Sequence, residues 1–228
     1  MTILEKSIIR FHNVKFGYGI SNSILNNVNI DIKQGGFYFL TGKSGAGKTS
    51  LLKLIYIGNR ITSGNLFMFN KDVNSYSRKE IAFIRQNISV VFQDYKLLKH
   101  LTVFDNLALP LRIKGESEEI IIRKVTQIVK WVGLKQYIDS YPNILSGGQQ
   151  QRLSIARSVI TNPKIILADE PTGSVDEVSA KKIMSLFEQL HQRGTTIIMA
   201  THNENLVKSK NYPKLVIKDN SVFLEECE

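Results

Sequence analysis

A chain of 228 residues, 43% of them hydrophobic, can hold one large α/β domain, or one core with an attached lobe, around a packed interior. No stretch approaches the roughly 18–20 uninterrupted apolar residues of a membrane-spanning helix, and MTILEKSIIRFHNV at the N-terminus has no signal-peptide core. The single cysteine, Cys227, excludes an internal disulfide and any cysteine-cluster metal site, and a cytoplasmic location is expected. The net charge of +10 is spread along the chain without a basic block, which disfavours nucleic acid as a partner and is compatible with a place beside an anionic membrane surface.

Taken in order, short β-like runs fall at residues 7–11 and 28–32, and FYFL at 37–40 reads as a buried strand leading straight into GKSGAGKT at 42–49. A helix should begin near Lys48 and continue through SLLKLIYI, with NLFMFN at 65–70 and ISVVFQ at 88–93 as further strands. From Thr102 to about Tyr141 the periodicity turns helical, in TVFDNLALPLRI and EEIIIRKVTQIVKWVGL. Alternation then resumes with IILAD at 165–169, a helix over 180–191, the strand TTIIMA at 195–200, and KLVI and SVFL around an Asp219-Asn220 turn. The pattern predicts an α/β P-loop core with a mostly parallel sheet, an antiparallel β part at the N-terminus and an inserted helical lobe. As one domain spanning 1–228, the core would take residues 1–94 and 155–228 and the lobe about 95–154.

GKSGAGKT fits GxxxxGK[ST], in which backbone N–H groups of a glycine-rich turn wrap phosphates at a helix N-terminus. Gly42, Gly45 and Gly47 let the backbone turn tightly, Lys48 supplies charge to the outer phosphates, and Thr49 can place its hydroxyl on Mg²⁺. Lys43, Ser44, Ala46 and Ser50 complete the expected ATP-binding set. Asp169 ends an apolar strand and is the expected acidic partner of the metal, while Glu170 is placed to orient or deprotonate an attacking water. A DE pair at a strand end is common by itself, and the order of the motifs is what gives it a catalytic reading. Ser146, followed by Gln149 three residues on, is suited to cap a helix whose exposed N–H groups face an anion.

LSGGQQQR at 145–152, lying between the P-loop and IILADE, resembles the signature of the ATP-binding cassette family, and the order of motifs matches that family along nearly the whole chain. The resemblance implies a Mg²⁺-dependent ATPase in which two cassettes pack head to tail, here as a homodimer formed on ATP binding. Leu145, Ser146, Gly147, Gly148 and Gln149 of one chain would contact the ATP held by the other. It also implies that Tyr18 stacks on adenine, that Gln93 meets Mg²⁺ and the catalytic water beside the groove where a membrane partner docks, and that His202 contacts the γ-phosphate. GSVD at 173–176 and Asn203 after His202 depart from the family's usual GNLD and aspartate. Asp94, Leu97, Leu98 and the MATH tetrad at 199–202 resemble the cell-division branch of the family. That branch implies a separately encoded integral membrane subunit, control of cell-wall hydrolases, and a peripheral place on the cytoplasmic face of the plasma membrane at the division site. Lipoprotein-releasing and peptide-efflux cassettes share the same motifs and are the alternative. Leu97, Leu98 and the residues from Gln93 through Arg112 are the expected docking surface.

Overall fold

The computed structural model describes residues 6–19, 23–92, 94–173 and 175–227. Two sheets are formed. The first is antiparallel, with β1 (Ser7–Gly17), β2 (Ser23–Lys33), β4 (Ser63–Met68) and β5 (Lys71–Asp72) in the order β2-β1-β4-β5. The second contains β3 (Phe37–Gly42), β6 (Ile88–Val91), β7 (Ile165–Asp169), β8 (Thr196–Ala200), β9 (Lys214–Lys218) and β10 (Ser221–Glu225), ordered β10-β9-β3-β8-β7-β6. In this sheet β9, β3, β8, β7 and β6 run parallel, and only the edge strand β10 is antiparallel. The β9–β10 hairpin turns on Asp219 and Asn220, both at positive φ (49° and 59°), as the two-residue turn required.

The helices are α1 (Lys48–Ile55), α2 (Arg78–Arg85), α3 (Val103–Ile113), α4 (Glu118–Trp131), α5 (Gly147–Val159), α6 (Glu177–Gln192) and α7 (Glu204–Lys208). Helix α1 is shorter than its apolar run suggested. Tyr56 caps it, and Ile57 turns into the left-handed region with φ 60°, its neighbour Gly58 donating back to the Lys53 carbonyl at 2.7 Å. The predicted strand at 65–70 is shifted to Ser63–Met68, because Phe69 and Asn70 at positive φ make the turn into β5. Helices α2 and α7 and strand β5 were not anticipated; the first two are short, and β5 is two residues long.

Side-chain alternation explains how one sheet serves two cores. On β3, Phe37 and Phe39 face one side while Tyr38 and Leu40 face the other. On β7, Ile166 and Ala168 are set against Ile165 and Leu167, and on β8, Ile197 and Met199 against Ile198 and Ala200. The first face is covered by helices, through Leu107 of α3, Val125 of α4, Ile155 of α5 and Phe187 of α6. The second face is covered by Leu51 and Leu54 of α1 and by the antiparallel sheet through Phe11, Leu25 and Leu66. Because both faces are buried, the central strands read as near-continuous apolar runs, and each fully buried large side chain contributes about 1.5–3 kcal/mol. The segment between β6 and β7 is helical, and its buried residues are continuous with the first-face core.

Candidate active site

Of the polar residues singled out by sequence, Lys48, Thr49, Asp169, Glu170 and His202 gather where the parallel strands β3, β7 and β8 end. Beyond β3, Gly42, Gly45 and Gly47 have φ values of 148°, 78° and 107°. At two of them space also demands glycine, since a Cβ would lie 2.9 Å from the Ile217 carbonyl oxygen at Gly42 and 2.7 Å from Ile24 Cγ2 at Gly47. The Lys48 ammonium folds back over the loop, donating to the Gly42 carbonyl at 2.8 Å and the Lys43 carbonyl at 3.2 Å, which holds its charge against the turn. Lys43, Ser44 and Gly45 are exposed at the tip, and the Ala46 N–H closes the turn on the Lys43 carbonyl at 3.1 Å. The unpaired N–H groups at the start of α1 add the positive end of a helix dipole.

Ser50 is buried and bonds to the Tyr18 hydroxyl, which also accepts from Asn59 Nδ2 at 3.1 Å; the two donors hold the Tyr18 pKa below its ordinary value. The Tyr18 ring is half exposed and meets Phe16 edge-on at 5.1 Å.

Parallel pairing of β7 with β8, in register at Asp169 and Ala200, delivers the two strand ends side by side. The Asp169 carboxylate accepts from the Thr49 hydroxyl at 3.0 Å. Glu170 takes a left-handed backbone with φ 50°, its N–H donating to the Ala200 carbonyl at 2.9 Å and its carbonyl accepting from Gly173 at 3.1 Å. This turn directs its carboxylate to His202, whose Nδ1 lies 2.8 Å from Glu170 Oε1 and whose backbone N–H lies 3.4 Å from Oε2. The Glu170 side chain is 12% exposed and that of His202 is 74% exposed, so the acid is sheltered and the imidazole faces outward.

One carboxylate and one hydroxyl, oxygen donors only, fit Mg²⁺, which prefers few protein ligands together with phosphate and water oxygens. Among the described residues no cluster of three or more His, Cys, Asp or Glu side chains offers an all-protein metal cage. Gln93, expected at the metal and the water, lies outside the described residues, as does Ser174.

Ser146 caps α5 in a complete capping box: its hydroxyl accepts from the Gln149 N–H at 3.3 Å and its own N–H donates to Gln149 Oε1 at 2.7 Å. Leu145 is buried, whereas Ser146 and Gly147 are exposed at the helix tip. Gly148 is buried for a reason of packing, since a Cβ there would come within 2.5 Å of Ser179 Oγ on α6. The polar contacts of 145–149 run within α5 and its entry, and none joins it to the P-loop among the described residues.

A model of the ABC transporter family matches residues 25–173, a span that includes the P-loop, the capped turn of α5 and the Asp169-Glu170 pair. The chain belongs to the ATP-binding cassette family. The cassette is 39% identical to the cell division ATP-binding protein FtsE of Bacillus subtilis, over 96% of each chain. It is 41% identical to FtsE of Escherichia coli strain K12, over 93% of this chain and 96% of that one. Among solved structures, the dimeric post-hydrolysis state of the ATP-binding cassette MJ0796 bound to ADP and Pi superposes with a TM-score of 0.86 at 34% identity, covering 96% of this chain and 99% of the other. The cassette cbiO1 of Clostridium perfringens, part of the ABC transporter complex cbiONQ, gives 0.88 at 29% identity, covering 98% and 89%. The cassette is therefore an ATPase of the α/β P-loop type. Among the described residues no helix is long and apolar enough to cross a membrane.

Beside β6 lies an open groove of about 460 Å³ whose lining includes the apolar Val90, Phe92, Leu109 and Ile113 and the basic Arg85 and Lys114. The expected docking residues Leu97 and Leu98 are not among those that line it. Leu97 is partly buried and packs against the helical core, and Leu98 is also partly buried. Sequence reasoning also missed three polar groups, Asn106 and Gln151 buried and Arg157 partly so, that tie neighbouring segments together. Asn106 is fully buried and its amide donates to the carbonyls of Leu98, Leu101 and Thr102 at 3.0, 3.1 and 2.9 Å. Arg157 grips the Tyr95 and Lys96 carbonyls at 3.1 and 2.8 Å, its pKa lowered by burial, and Gln151 holds the Pro171 carbonyl at 2.8 Å. Their signal was polar residues at helical spacing on otherwise apolar faces.

Proposed function

We propose that this cassette is the ATP-hydrolysing subunit of a membrane-coupled complex of the cell-division type, working as a homodimer and driving a separately encoded integral membrane subunit. The convergence of Lys48, the Thr49–Asp169 pair and the Glu170–His202 pair at the ends of three adjacent parallel strands carries the catalytic part of this reading. The P-loop N–H groups and Lys48 bind the phosphates, and Tyr18 offers a ring face to adenine. Thr49 and Asp169, with Gln93, would hold Mg²⁺, which when bound neutralises and orients phosphate oxygens. Glu170 orients the attacking water and accepts its proton, and His202 fixes the carboxylate while presenting its exposed edge to the γ-phosphate.

In the dimer each ATP lies between one chain's P-loop and the exposed tip of the other chain's α5. Gly147 there is the first helical residue, and its N–H precedes the first N–H that bonds back within the helix, that of Gln150 to the Ser146 carbonyl at 2.8 Å. Hydrolysis removes this bridge, and the two states load the membrane partner differently. The apolar and basic residues that line the groove beside β6 support docking there of a partner's cytoplasmic segment, with the cassette on the cytoplasmic face of the membrane at the division site. The identity to FtsE proteins along nearly the whole chain supports the cell-division assignment.

The test is affinity capture of the Glu170→Gln variant with ATP and Mg²⁺ from detergent-solubilised membranes of the native cell, read by mass spectrometry. Co-capture of an integral membrane subunit together with division or cell-wall proteins is expected. A permease accompanied by lipoprotein-release or efflux components would move the cassette to the transport class.

A further inference from the structure

Gln151 lies in α5, two residues beyond the capping box, and is 1% exposed. Its Nε2 donates to the Pro171 carbonyl at 2.8 Å. A carbonyl only accepts, so the amide orientation is fixed, and Oε1 is left buried without a hydrogen-bond partner. An apolar side chain would fill this position without leaving an acceptor unmet, unless the one bond the amide makes has a use. That bond holds the turn carrying Glu170. Pro171 follows Glu170 directly, and the turn is closed by the Gly173 N–H on the Glu170 carbonyl at 3.1 Å. One turn earlier on the same helix, Gly148 is pressed against Ser179 of α6. Helix α5 thus grips the chain at Pro171 and at Ser179, while its own first turn is the signature.

We propose that Gln151 is a positioning residue for hydrolysis. It ties the turn that bears Glu170 to the helix whose tip meets ATP in the opposite half-site. Hydrolysis in one half-site therefore depends on whether that chain's own signature is engaged in the other. The inference rests on the head-to-tail dimer proposed above.

Gln151→Met keeps the length and apolar volume of the side chain and removes the donor. Gln151→Glu keeps the shape and puts an acceptor against the Pro171 carbonyl, and it stands in if the first variant does not fold. Trp131→Phe is the control: it removes a bond between α4 and α6, from Trp131 Nε1 to Gln189 Oε1 at 2.9 Å, that has no part in the site. Steady-state hydrolysis is measured against ATP concentration and pH, with the thermal unfolding midpoint of each variant.

In the Gln151 variants kcat should fall about tenfold with KM for ATP unchanged within about twofold, the pattern of a lost transition-state interaction. The Hill coefficient for ATP should drop towards one, and the acid limb of the kcat–pH profile should move. Trp131→Phe should keep native kcat, cooperativity and pH profile even where its unfolding midpoint falls. A cooperative native chain whose folded Gln151 variants retain kcat, Hill coefficient and pH profile overturns this inference alone. A native chain with a Hill coefficient of one and no ATP-dependent dimer overturns the dimer reading and this inference with it.

Discussion

Glu170 occupies a backbone region that costs a non-glycine residue about 1–3 kcal/mol, and it is held there by hydrogen bonds to Ala200 and Gly173. An extended Glu170 would continue β7 and point away from His202; the left-handed turn is what brings the two side chains to 2.8 Å. The P-loop glycines separate two other costs. Gly47 combines φ 107° with a Cβ position 2.7 Å from Ile24, whereas Gly45, at φ 78°, has open space around it. Gly47→Ala should destabilise the fold by about 1–3 kcal/mol and weaken ATP binding by tenfold or more, while Gly45→Ala should cost only about 1 kcal/mol of stability. Urea unfolding and nucleotide titration compare them; equal stability losses would mean that the contact with Ile24 is not what excludes a side chain.

At the scale of elements, short helices here are decided by their ends. Helix α2 buries only Ile84, yet a complete capping box joins Ser77 to Glu80, and Lys71 adds a 2.6 Å ion pair to the same carboxylate. The Lys71 bond, then the Ser77 bonds, lower the Glu80 pKa from 4.5 to about 2. A lowered carboxylate stabilises the folded state above its unfolded pKa, and that contribution is lost as pH falls through the folded value. Glu80→Gln retains a box-competent amide and loses the charge. Its deficit in unfolding midpoint relative to the native chain should be present at neutral pH and shrink as pH drops from 4.5 towards about 2. A deficit that stays constant over this window would place the contribution of Glu80 in the cap rather than the charge.

For the whole molecule, the decisive feature is that the P-loop and the capped turn of α5 stand apart, with no polar contact between them among the described residues. The strands deliver Lys48, Asp169, Glu170 and His202 to one end of the sheet, while α5 presents Ser146 and Gly147 from a helix with its own contacts. In the proposed dimer a second copy in head-to-tail contact would close both sites at once, with two-fold symmetry. Glu170→Gln with ATP and Mg²⁺ should elute as a dimer in size-exclusion chromatography and return to monomer with ADP, because binding is retained while the step that removes the bridge is blocked. A variant that remains monomeric at saturating ATP would sink the two-site arrangement.

The sequence by itself determined the central strands, the P-loop and the acidic strand end. Each is a local signal: a continuous apolar run for a strand buried on both faces, glycines where the backbone must turn left-handed, and a capping serine before a helix. It also fixed the order of motifs that identifies the family. Only the tertiary structure decided that Glu170 and His202 meet, because their contact follows from the parallel register of β7 with β8 across thirty-two positions of sequence. Likewise, Leu97 came to pack against the helical core and Gln151 to tie Pro171 through contacts between elements distant along the chain. Such roles depend on what lies opposite a side chain, and periodicity reports only which face it occupies.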